Sequence, residues 1–164
     1  MQSNLVVPNK RVHERSITSV EKMKTSDRDI RNSRAVRTLI ADDSPWMLKT
    51  LSQILTLEGI FTLVASATDG SQAVRYASTI EPELILMDVH MPHLNGIEAT
   101  RYIKQFKDPP VVIIVTSDDT PASRASAKGA GADAFVTKSD DIHAQLKTIF
   151  RKLFGADHEP GLVQ

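Results

Sequence analysis

From Val36 onward, apolar and polar positions fall into short alternating blocks. VRTLIA (36–41) is an apolar run of strand length. Ser44-Pro45 follows, an N-cap residue with proline at the first helical position. Leu48, Leu51, Ile54 and Leu55 then recur at helical spacing until Gly59 stops the segment. FTLVASA (61–67) alternates like a strand. Asp69-Gly70 turns the chain into a helix carrying Ala73, Val74 and Ala77 on one side and ending near Pro82. LILM (84–87) is uninterruptedly apolar, and Asn95 to Phe106 reads as a third helix with Ile97, Tyr102, Ile103 and Phe106 as its apolar members. VVIIVT (111–116) is strongly strand-like and comes directly after Pro109-Pro110. Pro121 to Ala130 is alanine-rich and helical, and DAFVT (133–137) is a fifth strand. Ile142, Leu146, Ile149, Phe150 and Leu153 mark a last amphipathic helix.

Strands thus alternate with helices five times. The third and fourth strands are apolar throughout, as strands covered on both faces are. Such alternation predicts an α/β domain: a parallel sheet, right-handed crossovers and helices on both faces. Residues 1–35 are polar and hold no lasting period, so they are expected to form a flexible arm ahead of a domain at 36–154, with a loose tail at 155–164. Thirty-five residues are too few for a second core, and none is expected after the last helix, so the domain is expected to stand alone.

Composition adds limits. The 164 residues are 41% hydrophobic and 24% charged, enough for one packed core. Formal net charge is zero, which gives the whole chain no bias toward nucleic acid. The balance hides an asymmetry, because residues 1–35 hold eight Lys/Arg against four Asp/Glu. Interleaved acids and missing aromatics favour a solvated leader there over a nucleic-acid-binding arm. The absence of cysteine excludes disulfides and thiolate chemistry and fits a reducing cytoplasm. No run approaches the ~18 apolar residues of a membrane span, and the N-terminus lacks the apolar core of a secretory signal.

The candidate chemistry lies where the strands end. In open α/β sheets the working site lies beyond the carboxyl ends of the strands. The first strand ends in Asp42-Asp43, the third in Asp88, the fourth in Thr116-Ser117 and the fifth in Thr137-Lys138. If these strands are neighbours, three carboxylates share one site. Two such charges ~5 Å apart repel by about 3 kcal/mol at an effective dielectric of about 20. A hard divalent cation relieves that repulsion, and Mg²⁺, often held by one or two carboxylates together with a phosphate, suits a site without soft ligands. A carboxylate is already ionised near neutral pH and can attack phosphorus unaided, giving an aspartyl phosphate. The Thr116 hydroxyl and the Lys138 ammonium would then share the charge of the phosphoryl oxygens with the cation.

Four pieces carry a resemblance: LIADDSP, LILMDVHMPHLNGIE, VVIIVTS and GADAFVTK, in this order and at compatible spacing. Together they resemble the receiver domain of two-component response regulators over about residues 36–154. The resemblance implies a flavodoxin-like sheet of order 2-1-3-4-5. It implies that Asp88 takes phosphate from a phosphohistidine on a histidine kinase or a phosphotransfer protein. It also implies that Asp43, Asp88 and the His90 backbone carbonyl bind Mg²⁺, with Asp42 acting partly through water. Thr116 and Lys138 would contact the phosphoryl group, and Phe135 would fill the position of an aromatic switch. The output would be a changed surface of the fourth helix, fifth strand and fifth helix, read by a target protein or by a second copy, with no DNA-binding domain. The domain would then be a self-phosphorylating switch and not a turnover enzyme.

Each residue also has a plainer reading. A strand-end acid usually serves a turn or a helix start, a lone lysine is usually solvated, and Phe135 by itself is an ordinary core residue. His90 and His93 flank Pro92 without helical spacing, which favours loop histidines over a metal pair; the His90 side chain is expected to hang over the site and tune phosphate lifetime. Trp46 is expected near the cleft mouth. One departure stands out: Ser139 follows Lys138 where the family usually has proline, often in a cis bond, so a trans or strained loop is expected there. The rival enzyme is a phosphatase of the haloacid-dehalogenase kind, which resembles this pattern but needs a second acid two residues after the nucleophile, where His90 stands. A non-phosphorylated scaffold is the third reading.

Overall fold

The computed structural model describes residues 34–155, so the expected arm at 1–33 and the tail from 156 lie outside the described residues. Five strands, β1 (Val36–Ala41), β2 (Phe61–Ala67), β3 (Leu84–Met87), β4 (Val111–Thr116) and β5 (Ala134–Thr137), form one parallel sheet in the order β2-β1-β3-β4-β5. Five helices alternate with them: α1 (Pro45–Glu58), α2 (Gly70–Ile80), α3 (Gly96–Ile103), α4 (Pro121–Ala130) and α5 (Ile142–Phe154). The flavodoxin-like order 2-1-3-4-5 is the expected one.

Local chemistry starts and stops the helices. Ser44, Asp69, Asn95 and Thr120 each accept a backbone N–H of the first turn through the side chain. Gly59 and Gly131 close α1 and α4 in the left-handed region, at φ 68° and 94°. Helix α3 is shorter than the periodicity predicts: it ends at Ile103, not Phe106. Gln105 N and Phe106 N donate to Tyr102 O and Ile103 O, so the last turn tightens from the α to the 3₁₀ pattern. β5 starts one residue late because Asp133 uses its side chain to accept Val112 N at 2.7 Å.

The sheet divides the core in two by simple alternation. Leu84, Leu86, Ile113, Val115 and Val136 face α1 and α5, whose Leu51, Leu55, Leu146 and Phe150 fill that side. The Phe61 ring lies 4.3 Å from Phe150 between centroids, tilted by 49°. Ile85, Met87, Val112 and Ile114 point the other way, toward Ala73, Ala77, Ala99 and Ala127 of α2, α3 and α4. β3 is buried at every position, and edge strand β2 alone carries a register irregularity, with Thr38 opposite Leu63 and Leu39 opposite Ala65. Among the described residues no helix is long and apolar enough to cross a membrane.

Candidate functional site

Sheet hydrogen bonding runs one residue past three strand ends and so places three side chains at the carboxyl edge. Asp42 N donates to Ala67 O at 3.0 Å, Asp88 N to Ala41 O at 2.8 Å, and Lys138 N to Thr116 O at 2.8 Å. The order β1-β3-β4-β5 then brings the acids of β1 and β3 and the lysine of β5 to one place. Carboxylate oxygens of Asp42, Asp43 and Asp88 all lie within 4.8 Å of one another. Asp42 and Asp88 are buried and Asp43 is exposed.

The backbone around Asp88 is tight. Gly96 N donates to Val89 O at 2.9 Å, folding the 89–95 loop back over the strand end. A Cβ at Gly96 would fall 1.8 Å from the Asp88 carbonyl oxygen, so the glycine is what lets α3 begin there. Within the loop His93 adopts a left-handed φ of 65°, a backbone conformation that clusters at functional loops.

Charge in the site is unbalanced. The Lys138 ammonium lies 3.0 Å from Asp88 Oδ1 and 2.7 Å from Asp42 Oδ2. Through the second contact the buried Asp42 Oδ2 faces the Lys138 ammonium. The other oxygen, Oδ1, accepts Ser44 N at 2.9 Å. One cation therefore faces three carboxylates. Burial raises the Asp88 carboxyl above the ordinary aspartate range, and Lys138 only partly offsets it. Burial depresses Lys138 in turn, but its contacts with Asp42 and Asp88 outweigh this and hold its pKa above the ordinary range. The donor set is all hard oxygen, and three carboxylates share one ammonium. These residues fit Mg²⁺.

Sequence reasoning brought Asp42, Asp43, Asp88 and Lys138 to this place, and the structure gathers them. Thr116 is buried at the end of β4, with its Oγ1 accepting Asp118 N at 3.2 Å. Phe135 is partly buried in β5, against the other core face from Val136. The His90 ring is exposed, with Nε2 3.8 Å from Asp118 Oδ2. Trp46 is exposed in the first turn of α1. Among the described residues there is no cis peptide bond, so the Lys138–Ser139 bond is trans. Ser139 Oγ instead joins a network with Asp141 Oδ1 at 2.5 Å and Gln145 Nε2 at 2.8 Å. The reading missed Asp118, Asp119 and Arg124 around the β4–α4 loop, because nothing local distinguishes them from solvated charges.

A family model described as the response regulator receiver domain matches residues 38–150. The chain is 37% identical over 121 residues to protein PilH of Pseudomonas aeruginosa, covering 73% of this chain and 98% of that one. It also matches protein-glutamate methylesterase/protein-glutamine glutaminases such as that of Thermotoga maritima, 37% identical over 122 residues, but spans about a third of their length. The solved response regulator domain of Thermotoga maritima CheB superposes with a TM-score of 0.66 at 34% identity, over 77% of this chain and 99% of that one. The receiver domain of the Pseudomonas aeruginosa sensor histidine kinase PA1611, described with a magnesium ion in its active site cleft, gives 0.64 at 27% identity over 72% and 96%. The family match covers well over half of the sequence; the chain belongs to the receiver domain family of response regulators.

Proposed function

We propose that this chain is a phosphorylation-driven switch whose acceptor is Asp88. The observation that carries the reading is the excess of carboxylate at one sheet edge: three acids and one ammonium. A purely structural site would balance these charges.

Asp42, Asp43 and Asp88, with the His90 carbonyl, would hold the metal; bound Mg²⁺ would offset the carboxylates and polarise a phosphoryl oxygen. An oxygen of Asp88 attacks the phosphorus of a phosphohistidine on a kinase or phosphotransfer protein. The O–P bond forms as the P–N bond breaks, the electron pair goes to the imidazole nitrogen, and that nitrogen takes its proton from solvent. Lys138, 3.0 Å from Asp88 Oδ1, keeps the acceptor ionised and then contacts a phosphoryl oxygen. The Thr116 hydroxyl donates to another. The added charge of about −1.5 to −2 shifts Thr116 and Lys138 toward the phosphoryl group and alters the surface of α4, β5 and α5. A target protein, or a second copy of the chain, reads that surface in the cytoplasm.

Acetyl phosphate with Mg²⁺ tests the reading directly. Radiolabel from the phosphoryl group should enter the full chain, disappear on chelation of the metal, and fall at least about a hundredfold in Asp88→Asn, which loses the nucleophile. Label retained by Asp88→Asn would overturn the assignment. Steady turnover of a phosphomonoester would favour the phosphatase reading instead.

A further inference from the structure

The β4–α4 loop carries contacts that the phosphoryl chemistry does not use. Arg124, in the first turns of α4, donates through Nε to Asp119 Oδ1 in the loop. Its guanidinium carbon lies 4.5 Å from the centroid of the Phe135 ring in β5. Asp119 therefore ties the loop to α4, and Arg124 carries the tie on to β5. At its other end the loop is tied to the site: Asp118 N donates to Thr116 Oγ1 and Thr120 N to Asp118 Oδ1, both at 3.2 Å. Contacts run unbroken from the Thr116 hydroxyl to the Phe135 ring. A planar guanidinium can pair edge-on with a carboxylate while its face rests on an aromatic ring, which an ammonium cannot do as well.

We propose that the Arg124–Asp119 pair is a latch: it positions the 117–120 loop, and Thr116 through it, in the arrangement seen here, and must open when Asp88 takes its phosphoryl group. The inference rests on the reading of Asp88 as acceptor and Thr116 as donor to the phosphoryl oxygens. Turning Thr116 Oγ1 toward Asp88 withdraws it from Asp118 N. The Thr120 cap still anchors the end of the loop to α4, and Asp119 holds its middle, so the pair opposes the change. Both members are about half exposed. Contacts of this exposure bias an equilibrium by small factors, which suits a device that must open during signalling.

The test uses the full chain, acetyl phosphate and Mg²⁺, with the initial rate of labelling as the readout. Arg124→Ala and Asp119→Asn should each label about two- to fivefold faster than the wild type, the range expected for an exposed ion pair with a cation–π contact. The double variant should be no faster than the faster single, because both substitutions break one device. Urea unfolding is followed in parallel. A pair that merely braces the fold lowers stability and leaves the rate unchanged; that result with a labelled wild type overturns the latch and leaves the Asp88 reading standing. Gains that multiply in the double variant also overturn it. A wild type that takes no label, or Asp88→Asn that does, overturns the underlying reading and the latch with it.

Discussion

The two edges of the sheet use charged side chains in opposite ways. At the amino edge two charged clusters are paired internally. Lys104 Nζ meets Asp133 Oδ2 at 2.5 Å and Pro110 O at 2.7 Å, and the same Asp133 oxygen accepts Val112 N. Arg37 reaches the carbonyls of Ile80 and Glu81, while its own N–H donates to Glu83 Oε2 at 3.0 Å. At the carboxyl edge one lysine serves two acids, and a third stands beside them. The difference teaches where charge is spent inside the molecule and where an excess is left at its edge. Paired charges brace loops; the excess of carboxylate is the feature on which the proposed metal and phosphoryl chemistry rests.

Removing a charge from the Lys104–Asp133 pair and from the Asp88 site should therefore move stability in different directions. The largest effect is expected from Gly96→Ala, whose methyl group collides with backbone at Asp88 and not with a movable side chain. It should cost about 3 kcal/mol or more in urea unfolding and abolish Mg²⁺ binding. Next comes the metal itself: Mg²⁺ at about one hundred times its Kd should stabilise the wild type by about 2.7 kcal/mol, and this gain should vanish in Asp43→Asn. At the amino edge, Lys104→Met strands Pro110 O and Asp133 and should cost about 1–2 kcal/mol with Mg²⁺ affinity unchanged.

At the carboxyl edge the sign reverses. Asp88→Asn removes a buried charge and should gain about 1 kcal/mol at neutral pH in metal-free buffer. The folded-state pKa of Asp88 is raised, so the folded chain holds this proton more tightly than the unfolded chain, and the penalty for ionised Asp88 fades as pH falls through that value. The advantage of Asp88→Asn should shrink over the same window. The smallest effect concerns Asp69, whose carboxyl is held below the ordinary range by the Gln72 amide. Its stabilisation is complete above the ordinary aspartate pKa and is lost as pH falls through the lowered value. Asp69→Asn keeps a cap without titrating, so its acid-unfolding curve should be shallower than that of the wild type. An unchanged acid limb in both variants would remove electrostatics from the comparison.

Much of this architecture is legible along the chain. Four of the five helices start at a capping side chain, and each strand shows as an apolar run or an alternating segment of strand length, because caps and periodicity act over a few residues. The end of α3 is misread because the apolar period continues through Phe106 while the hydrogen bonds tighten after Ile103. The replacement of the usual proline is visible at Ser139, but the network through Asp141 and Gln145 that occupies its place is not. Arg124 on Phe135 is likewise invisible, since both are unremarkable residues until α4 is laid beside β5.

By itself the amino-acid order determined which segments become strand or helix and which residue types sit at each strand end, since both depend on short-range sterics and on the alternation of apolar side chains. Tertiary structure alone decided that Asp42, Asp43, Asp88 and Lys138 share a few ångströms, and that one lysine is left facing three acids. Strand order is the reason: residues forty-odd positions apart become neighbours only when β1 and β3 pair, and the electrostatic imbalance exists only once they do.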